Sequence, residues 1–530
     1  MKLTFTIVAL FFYCFLHAQK AGTPDYSFGD SGRTATRFYT DVVANCVATQ
    51  QDGKILAAGG SMYAHGWDIA RYLKNGKPDS GFNHDGKLVG FIPGSKKKGD
   101  SYITGIVVQP DEKILVVGVA CISIKQDDFD YDFAVARYLP DGSRDLAFGN
   151  GGYVTTDLGT INDKSLAIAL QPDSKIVIAG TYSGSTYSGN AVVRYTADGK
   201  LDSSFGKDGI FKYSRINHEY YSAPVAVQSL PNGKILVAGS ADIVGLFALL
   251  RLKNNGSLDS SFGINGGVTT GASNIFIQCH GMALQKDGKI ILTGYTNALS
   301  TGIGTVAARY TRDGILDSSF GNEGLIIDIE TNVTKYFNGV CVQPDDKIIA
   351  AGSYFKSLET SGDFYVVRYT ANGKKDSGFG TNGTGTIVDF NKLGDGANAV
   401  ALLPDNKIVT AGGTYLSFGN SSFAVVMYNN DENKNKITGV VNRINSLHRV
   451  SIFPNPVTDN LHIEGLPSSQ NLSSGRQAKL TVIDFNGNVK LQAIANASSY
   501  NLNIAALTAG NYMVRIETND EVVAKQFVKE

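Results

Sequence analysis

One pattern governs what this chain of 530 residues can fold into: a turn followed by Lys-Ile recurs seven times at nearly even spacing. It reads QDGKILAAGG at Lys54, PDEKILVVG at Lys113, PDSKIVIAG at Lys175, PNGKILVAG at Lys234, KDGKIILTG at Lys289, PDDKIIAAG at Lys347 and PDNKIVTAG at Lys407, with intervals of 59, 62, 59, 55, 58 and 60 residues. A second signature keeps the same beat: PDYSFG ending at Gly29, PDSGFN at Asn83, RDLAFG at Gly149, LDSSFG at Gly206, Gly263 and Gly321, and KDSGFG at Gly380. Between the two runs an apolar, alternating segment such as Phe133 to Tyr138 or Tyr365 to Tyr369, whose period of two is that of a strand with one buried face. Each unit parses into four short strands: one after Phe-Gly, one before the Pro-Asp turn, one from Lys-Ile and one into Arg-Tyr. Seven such units predict an all-β chain with a seven-bladed β-propeller of four-stranded blades over residues 25–428, because radial closure covers the sheets with their neighbours and leaves only short edges. Ankyrin, tetratricopeptide and leucine-rich repeats run at roughly 20 to 35 residues and mostly need helices, which leaves a β-solenoid or a row of separate small sheets as the main rival. The repeat leaves the phasing open: the units either coincide with the blades, or the first strand after Gly29 completes the last blade.

The paired motifs, Leu-Asp-Ser-Ser-Phe-Gly and Pro-Asp-Gly-Lys-Ile, resemble the delta-60 repeat of secreted and surface bacterial proteins over Asp25 to about Tyr428. The resemblance implies a propeller-like fold and carries no assigned activity. Asn83 replaces the glycine in the second unit, Leu252 the tyrosine in the fourth and Met427 the arginine in the seventh.

Composition bears on address and partners. Lys plus Arg equals Asp plus Glu at 48 each, so no net field draws the protein to nucleic acid or an anionic membrane. Residues 1–18 read as a signal peptide, with Lys2, an apolar run from Leu3 to Leu16, and Ala18 before the expected cleavage. No later stretch is long and apolar enough for a transmembrane helix, so a secreted or cell-surface protein is expected, as a monomer. Cys46, Cys121, Cys279 and Cys341 show none of the spacings of a zinc or redox site. Cys46, Cys279 and Cys341 lie eight, ten and six residues before a repeated lysine, which places all three on one strand face as buried free thiols.

The repeated residues read as structural. Asp202, Asp259 and Asp317 precede turns whose amides a carboxylate can cap, and Phe205, Phe262 and Phe320 anchor those turns. Arg71, Arg137, Arg194, Arg251, Arg309 and Arg368 are expected to form ion pairs between blades with the repeated aspartates. The face opposite these monotonous turns carries the variable loops, where recognition residues concentrate. The candidate ligand-binding set there is Tyr63, His65, Trp67, Tyr182, Tyr187, Tyr220, Tyr221, Tyr354 and Tyr415, since aromatic rims both stack and hydrogen-bond with sugars or peptides. Asp128, Asp130 and Asp132, in DDFDYD, share one strand face and are the one candidate for calcium, although no glycine turn or closing carboxylate completes an EF-hand-like loop. No other cofactor is expected. No Gly-x-Ser-x-Gly elbow, His-Glu-x-x-His helix or phosphate loop occurs, and no catalytic residue is assigned.

After Tyr428 the beat stops. NNDENKNK opens a linker, residues 429–447, and a shorter β-rich segment, residues 448–530, follows as a small immunoglobulin-like sandwich. Pro454, Asn455 and Pro456, the Asn486-Gly487 turn, and Gly510, Asn511 and Tyr512 make this segment resemble the C-terminal sorting domain of the type IX secretion system. That resemblance implies the secretion machinery as a partner, passage through the outer membrane, and attachment at the surface or release. The expectation for the whole chain is a surface or secreted binding module for a glycan, peptide or protein, and not an enzyme. The alternatives are a polysaccharide lyase or hydrolase with its site at the propeller mouth, or a purely structural surface component.

Overall fold

The structure is a computed structural model. It describes all residues except 1–19, 39–40, 61–65, 91, 93–100, 126–127, 185–187, 217–218, 221–222, 242–244, 273–274, 299–301, 357–360, 391–393, 418–419, 431–450, 455, 465, 467–477, 485–488, 496, 498 and 518–521. The expected leader and most of the expected linker fall outside the described residues. The chain divides into two compact units, residues 1–434 and 435–530.

The first unit is a ring of seven four-stranded antiparallel blades. The innermost strands are Val43–Thr49, Tyr102–Val108, Asn162–Leu170, Ala226–Ser229, Phe276–Leu284, Thr334–Val342 and Asp395–Leu402. Each packs against the innermost strand of the next blade, and the seventh packs against the first. The Lys-Ile turn leads outward to the second strand, the Arg-Tyr segment forms the third, and the strand after Phe-Gly is outermost. The phasing question is thereby answered. Arg33–Thr36 pairs antiparallel with Phe423–Val426 and supplies the outermost strand of blade 7, so the two ends of the repeat region meet in one sheet.

The repeated residues form a lock in six of the seven blades, Met427 replacing the arginine in the last. In blade 3, Arg194 Nε donates to Asp202 Oδ2 at 2.8 Å, its guanidinium lies 4.7 Å from the centre of the Phe205 ring, and Asp202 Oδ1 caps the Ser204 amide. Lys175 adds a second cation 3.3 Å from Asp202. Burial opposes ionisation, yet Ser204, Lys175 and Arg194 hold the Asp202 carboxyl down at about 2. The ion pair is thus local, eight residues apart within one unit, which corrects the expected pairing across blades. The link between blades is made by the remaining guanidinium N–H groups: Arg137 donates to Ala197 O at 2.6 Å and Arg251 to Arg312 O at 2.6 Å. The Phe-Gly glycine adds another, as Gly206 N donates to Asn255 O. That glycine is left-handed, with φ of 56° at Gly206, and Asn83 takes the same position at 46°. Asparagine is the side chain that tolerates this region best, and Asn83 Nδ2 donates to Lys87 O.

A bulge interrupts six of the seven innermost strands, all but that of blade 4. Between Ala44 and Cys46, Ile103 and Gly105, Ser165 and Ala167, Cys279 and Gly281, Phe337 and Gly339, and Ala397 and Ala399 the register shifts by one residue. An extra residue reverses which face the following side chains occupy. Cys279 precedes the bulge and packs toward blade 4, whereas Cys46 and Cys341 follow it and pack toward the next blade. The expectation of one shared face is corrected accordingly. All four described cysteines are free thiols.

The second unit is a sandwich of a three-stranded sheet and a four-stranded sheet. Leu461, Ile463, Leu480, Val482, Val514, Ile516 and Phe527 fill its core. Tyr512 is buried within it and donates to Thr508 O at 3.0 Å, and Pro454 and Pro456 are exposed. Asn455 and the Asn511 side chain fall outside the description.

Candidate functional site

The bulge residues Asn45, Thr104, Leu166, His280, Asn338 and Asn398 are half-exposed and belong to the innermost strands. Val225 holds the same position in blade 4, where its N–H donates to Ala238 O. These seven residues sit nine positions before the repeated lysine of their unit. Five of them link neighbouring blades: Asn45 Nδ2 donates to Ile103 O at 2.8 Å, Thr104 Oγ1 to Ser165 O at 2.9 Å, Asn338 Nδ2 to Ala397 O at 2.9 Å and Asn398 Nδ2 to Ala44 O at 3.0 Å. His280 Nδ1 lies 3.0 Å from Asn338 Oδ1. Because the Asn338 amide nitrogen is already donating, its oxygen must accept, so His280 carries its proton on Nδ1 and presents Nε2 as a bare acceptor. Burial lowers the His280 pKa, with the Asn338 bond opposing, so the ring is neutral at physiological pH. The circuit breaks at Leu166 and Val225, which bring no hydrogen-bonding group.

Beside His280 runs a series of edge-on rings. Tyr295 lies 5.3 Å from His280, Tyr336 5.2 Å from Tyr295 and Phe355 5.8 Å from Tyr336. Tyr295 donates its hydroxyl proton to Gln278 Oε1. All five residues are half-buried. They stand on blades 5 and 6 near the ends of the strands farthest from the Lys-Ile turns, on the side where the variable loops emerge. Alternating ring edges and faces beside the bare Nε2 acceptor of His280 suit a ligand with both apolar faces and hydroxyl or amide groups.

The residues singled out from the sequence fare unevenly. Trp67 is fully buried at 0% exposure and donates Nε1–H to Val119 O at 3.1 Å. It is a core residue bridging blades 1 and 2, which corrects its place in a recognition rim: an indole with its single donor satisfied by backbone has nothing left to offer a ligand. Tyr182 is also buried, with the Lys212 ammonium 4.8 Å from its ring centre. Tyr354 is half-buried against Tyr365, and Tyr415 is exposed at 48%. These four stand on blades 1, 3, 6 and 7 and do not come together. Tyr63, His65, Tyr187, Tyr221 and the Tyr220 side chain lie outside the described residues, as does the Asp128 side chain. Asp132 points to Asp157 and Asp163.

Two clefts of about 630 and 660 Å³ lie against the outermost strands, one beside Arg37, Asn83 and Lys87 and the other beside Tyr153, Asn150 and Lys200. They are remote from the His280 array.

One buried acid has a measurable consequence. Asp68, 2% exposed, has a carboxyl oxygen with no hydrogen-bond partner among the described residues, and burial pushes its carboxyl up to about 7. The unfolded chain releases this proton near pH 4 while the folded chain retains it to about pH 7. Stability therefore falls as pH rises through that window, by about 2–4 kcal/mol from this group. Urea midpoints at pH 5 and pH 8 should differ less in Asp68→Asn than in the parent protein; an unchanged difference would rule Asp68 out as the cause.

Comparison with known proteins bears on both units. Residues 451–530 match the secretion system C-terminal sorting domain. Six segments, 50–82, 109–148, 171–205, 230–262, 285–320 and 343–379, match the domain of unknown function (DUF5122) beta-propeller. Each begins near a Lys-Ile turn and ends at a Phe-Gly motif, and the unit split between Lys407 and Phe28 is not among them. No curated protein matches the chain. Among solved structures, the polysaccharide lyase Uly1 is similar at 10% identity over 79% of this chain and 94% of that one, with a TM-score of 0.44. PorZ, a surface component of the type-IX secretion system of Porphyromonas gingivalis, is similar at 14% identity over 91% of this chain with a TM-score of 0.33, and the match spans 59% of PorZ. The gluconolactonase XC5397 from Xanthomonas campestris is similar at 11% identity over 74% of this chain and 97% of that one, with a TM-score of 0.33. No helix among the described residues is long and apolar enough to cross a membrane.

Proposed function

We propose, for a chain that joins DUF5122 β-propeller repeats to a secretion system C-terminal sorting domain and is thereby marked for export to the cell surface or extracellular space, that the propeller is a binding module whose recognition surface is the inner rim of blades 5 and 6. The observation that carries this reading is the array of His280, Tyr295, Tyr336 and Phe355 with Gln278 and Asn338. Its hydrogen-bonding groups are oriented by the fold before any ligand arrives, which limits the ordering cost of association. The ligand class that fits is a glycan or an extended peptide, because both present flat apolar faces edged by donors and acceptors.

Binding fits this array better than turnover does. The groups assembled are ring faces, one bare imidazole acceptor and neutral amides, which hold hydroxyl and amide groups, and no carboxylate belongs to the array.

The test is a glycan-array and protein-capture screen of the full mature chain beside Tyr336→Ala and Tyr295→Ala, with product analysis of any bound polymer. Each variant should weaken binding by about tenfold or more while shifting the melting temperature little, since both rings are half-exposed. Equal binding by the variants would move the recognition surface elsewhere, cleaved polymer would replace binding with catalysis, and the absence of any ligand would favour a structural component of the cell surface.

A further inference from the structure

We infer that the protein binds a divalent cation of the calcium class at the junction of blades 2 and 3, held by Asp132, Asp157 and Asp163; Asp363, Asp389 and Asp395 form a trio of like spacing at the junction of blades 6 and 7. In each trio the carboxylate oxygens lie within 4.8 Å of one another. The trios are built alike. Asp132 and Asp363 stand on the third strands of blades 2 and 6, in Asp128–Tyr138 and Asp363–Tyr369, five residues before Arg137 and Arg368. Asp157 and Asp389 directly follow the outermost strands Tyr153–Thr156 and Thr386–Val388. Asp163 and Asp395 come six residues later, on the innermost strands of blades 3 and 7.

Asp132 supplies the observation that points to a ligand. It is 8% exposed and accepts no hydrogen bond from a described residue, yet it is aimed at the other two acids. Its neighbours are provided for: Asp163 accepts from the Leu158 amide at 2.6 Å and from the Thr160 hydroxyl, and Asp157 accepts from the Gly159 amide at 2.5 Å. Lys212, whose charge reaches Asp163, has its ammonium bonded to Leu158 O. A buried carboxylate among two others, without a donor, is a costly arrangement that a cation relieves.

The junction of blades 5 and 6 shows the same need met from within the chain. Lys335 occupies the position of Asp163 and Asp395, twelve residues before the repeated lysine. Its ammonium sits 3.0 Å from Asp328 and 3.3 Å from Glu330. Where this position carries lysine the chain supplies its own cation; at Asp163 it supplies a third carboxylate instead. Calcium takes oxygen ligands at roughly 2.3–2.6 Å, so two of them stand at most about 5 Å apart, a span that accommodates these trios; magnesium, at roughly 2.0–2.1 Å, demands a tighter octahedron. The exposed Asp157 and Asp389 leave each trio open to solvent.

The test titrates calcium into the chelator-treated full mature chain by calorimetry and follows its melting. One ion per chain is expected at this junction, with a dissociation constant of about 10⁻⁴ to 10⁻³ M and a melting temperature raised by roughly 2–3 °C at about 10 mM calcium. Asp157→Asn, at an exposed position, should remove that ion. Asp132→Asn should melt higher than the parent without calcium and lose part of the calcium response, a reversal that a packing defect would not produce. No calcium binding, a stoichiometry unchanged by Asp157→Asn, or an equal response to magnesium would overturn the assignment.

Discussion

Deleting residues 20–38 from the mature chain is expected to cost about 5 kcal/mol or more, enough to unfold a domain of ordinary stability. This segment carries Arg33–Thr36, the outermost strand of blade 7, and without it Phe423 to Val426 become an unpaired edge. It also removes Phe28 and Phe38, both buried in the core shared by blades 7 and 1, each contributing roughly 1.5–3 kcal/mol through burial. Asp25 would leave Lys407 without its carboxylate partner, and the amide bonds from Gly22 to Asn429 O and from Asp25 to Met427 O would be lost. Calorimetric melting would show a large fall in transition temperature, or no cooperative transition. A control separates loss of closure from loss of sequence: residues 20–38 joined by a short linker after Asn430 should restore the transition, because Asn429 already lies against Thr23. A deletion variant that melts like the parent would show that the ring does not depend on this strand.

Arg194→Ala is expected to destabilise the propeller by about 3–5 kcal/mol, the usual cost of removing one partner from a buried ion pair. Arg194 is 1% exposed and joins Asp202, Ser204, Gln171, Asn254 and the face of Phe205. Without it the buried Asp202 retains Ser204 and Lys175 alone. Blade 7 shows which replacement is milder: Met427 stands where arginine would, and Lys407 alone meets Asp25. Arg194→Met should therefore cost about half as much as Arg194→Ala, because it keeps the packing on Phe205. Adding Lys175→Met to Arg194→Met should cost more than the two single changes summed, since Asp202 then has no cation. The parent should lose stability as pH falls from about 4 toward 2, where the depressed Asp202 carboxyl protonates; in Arg194→Met that loss should shift to higher pH. Strict additivity, or an acid limb unchanged by Arg194→Met, would show that Asp202 does not depend on these cations.

The sequence was most informative where one structural problem is solved seven times. The turn carboxylate, the phenylalanine beneath the arginine and the left-handed glycine each satisfy local geometry, so their spacing survives every change in loop length. Asn83 illustrates this, since the one departure from glycine is to the residue best able to replace it. The His280 array carried a signal of the same kind, nine residues before each lysine, but its residue type changes from Asn to Thr, Leu, Val and His. Identity alone therefore conceals a position that the bulge defines. Trp67 misled for the opposite reason: a lone tryptophan beside a variable loop resembles a rim residue until Val119 of the next blade is seen to accept its N–H.

Local chemistry recurring at a fixed period determined the number of blades, the direction of each strand and the separate β-rich tail. Three features rest on groups far apart in the chain or on a one-residue offset that periodicity hides. Closure joins Arg33–Thr36 to Phe423–Val426. Cys279 turns away from Cys46 because a bulge intervenes. Asp132 meets Asp157 and Asp163 because the third strand of one blade and the innermost strand of the next converge at their shared junction. The tertiary structure alone decides these, because the proximity of blade edges is set by ring closure and no pattern within a single repeat encodes which side chains that closure brings face to face.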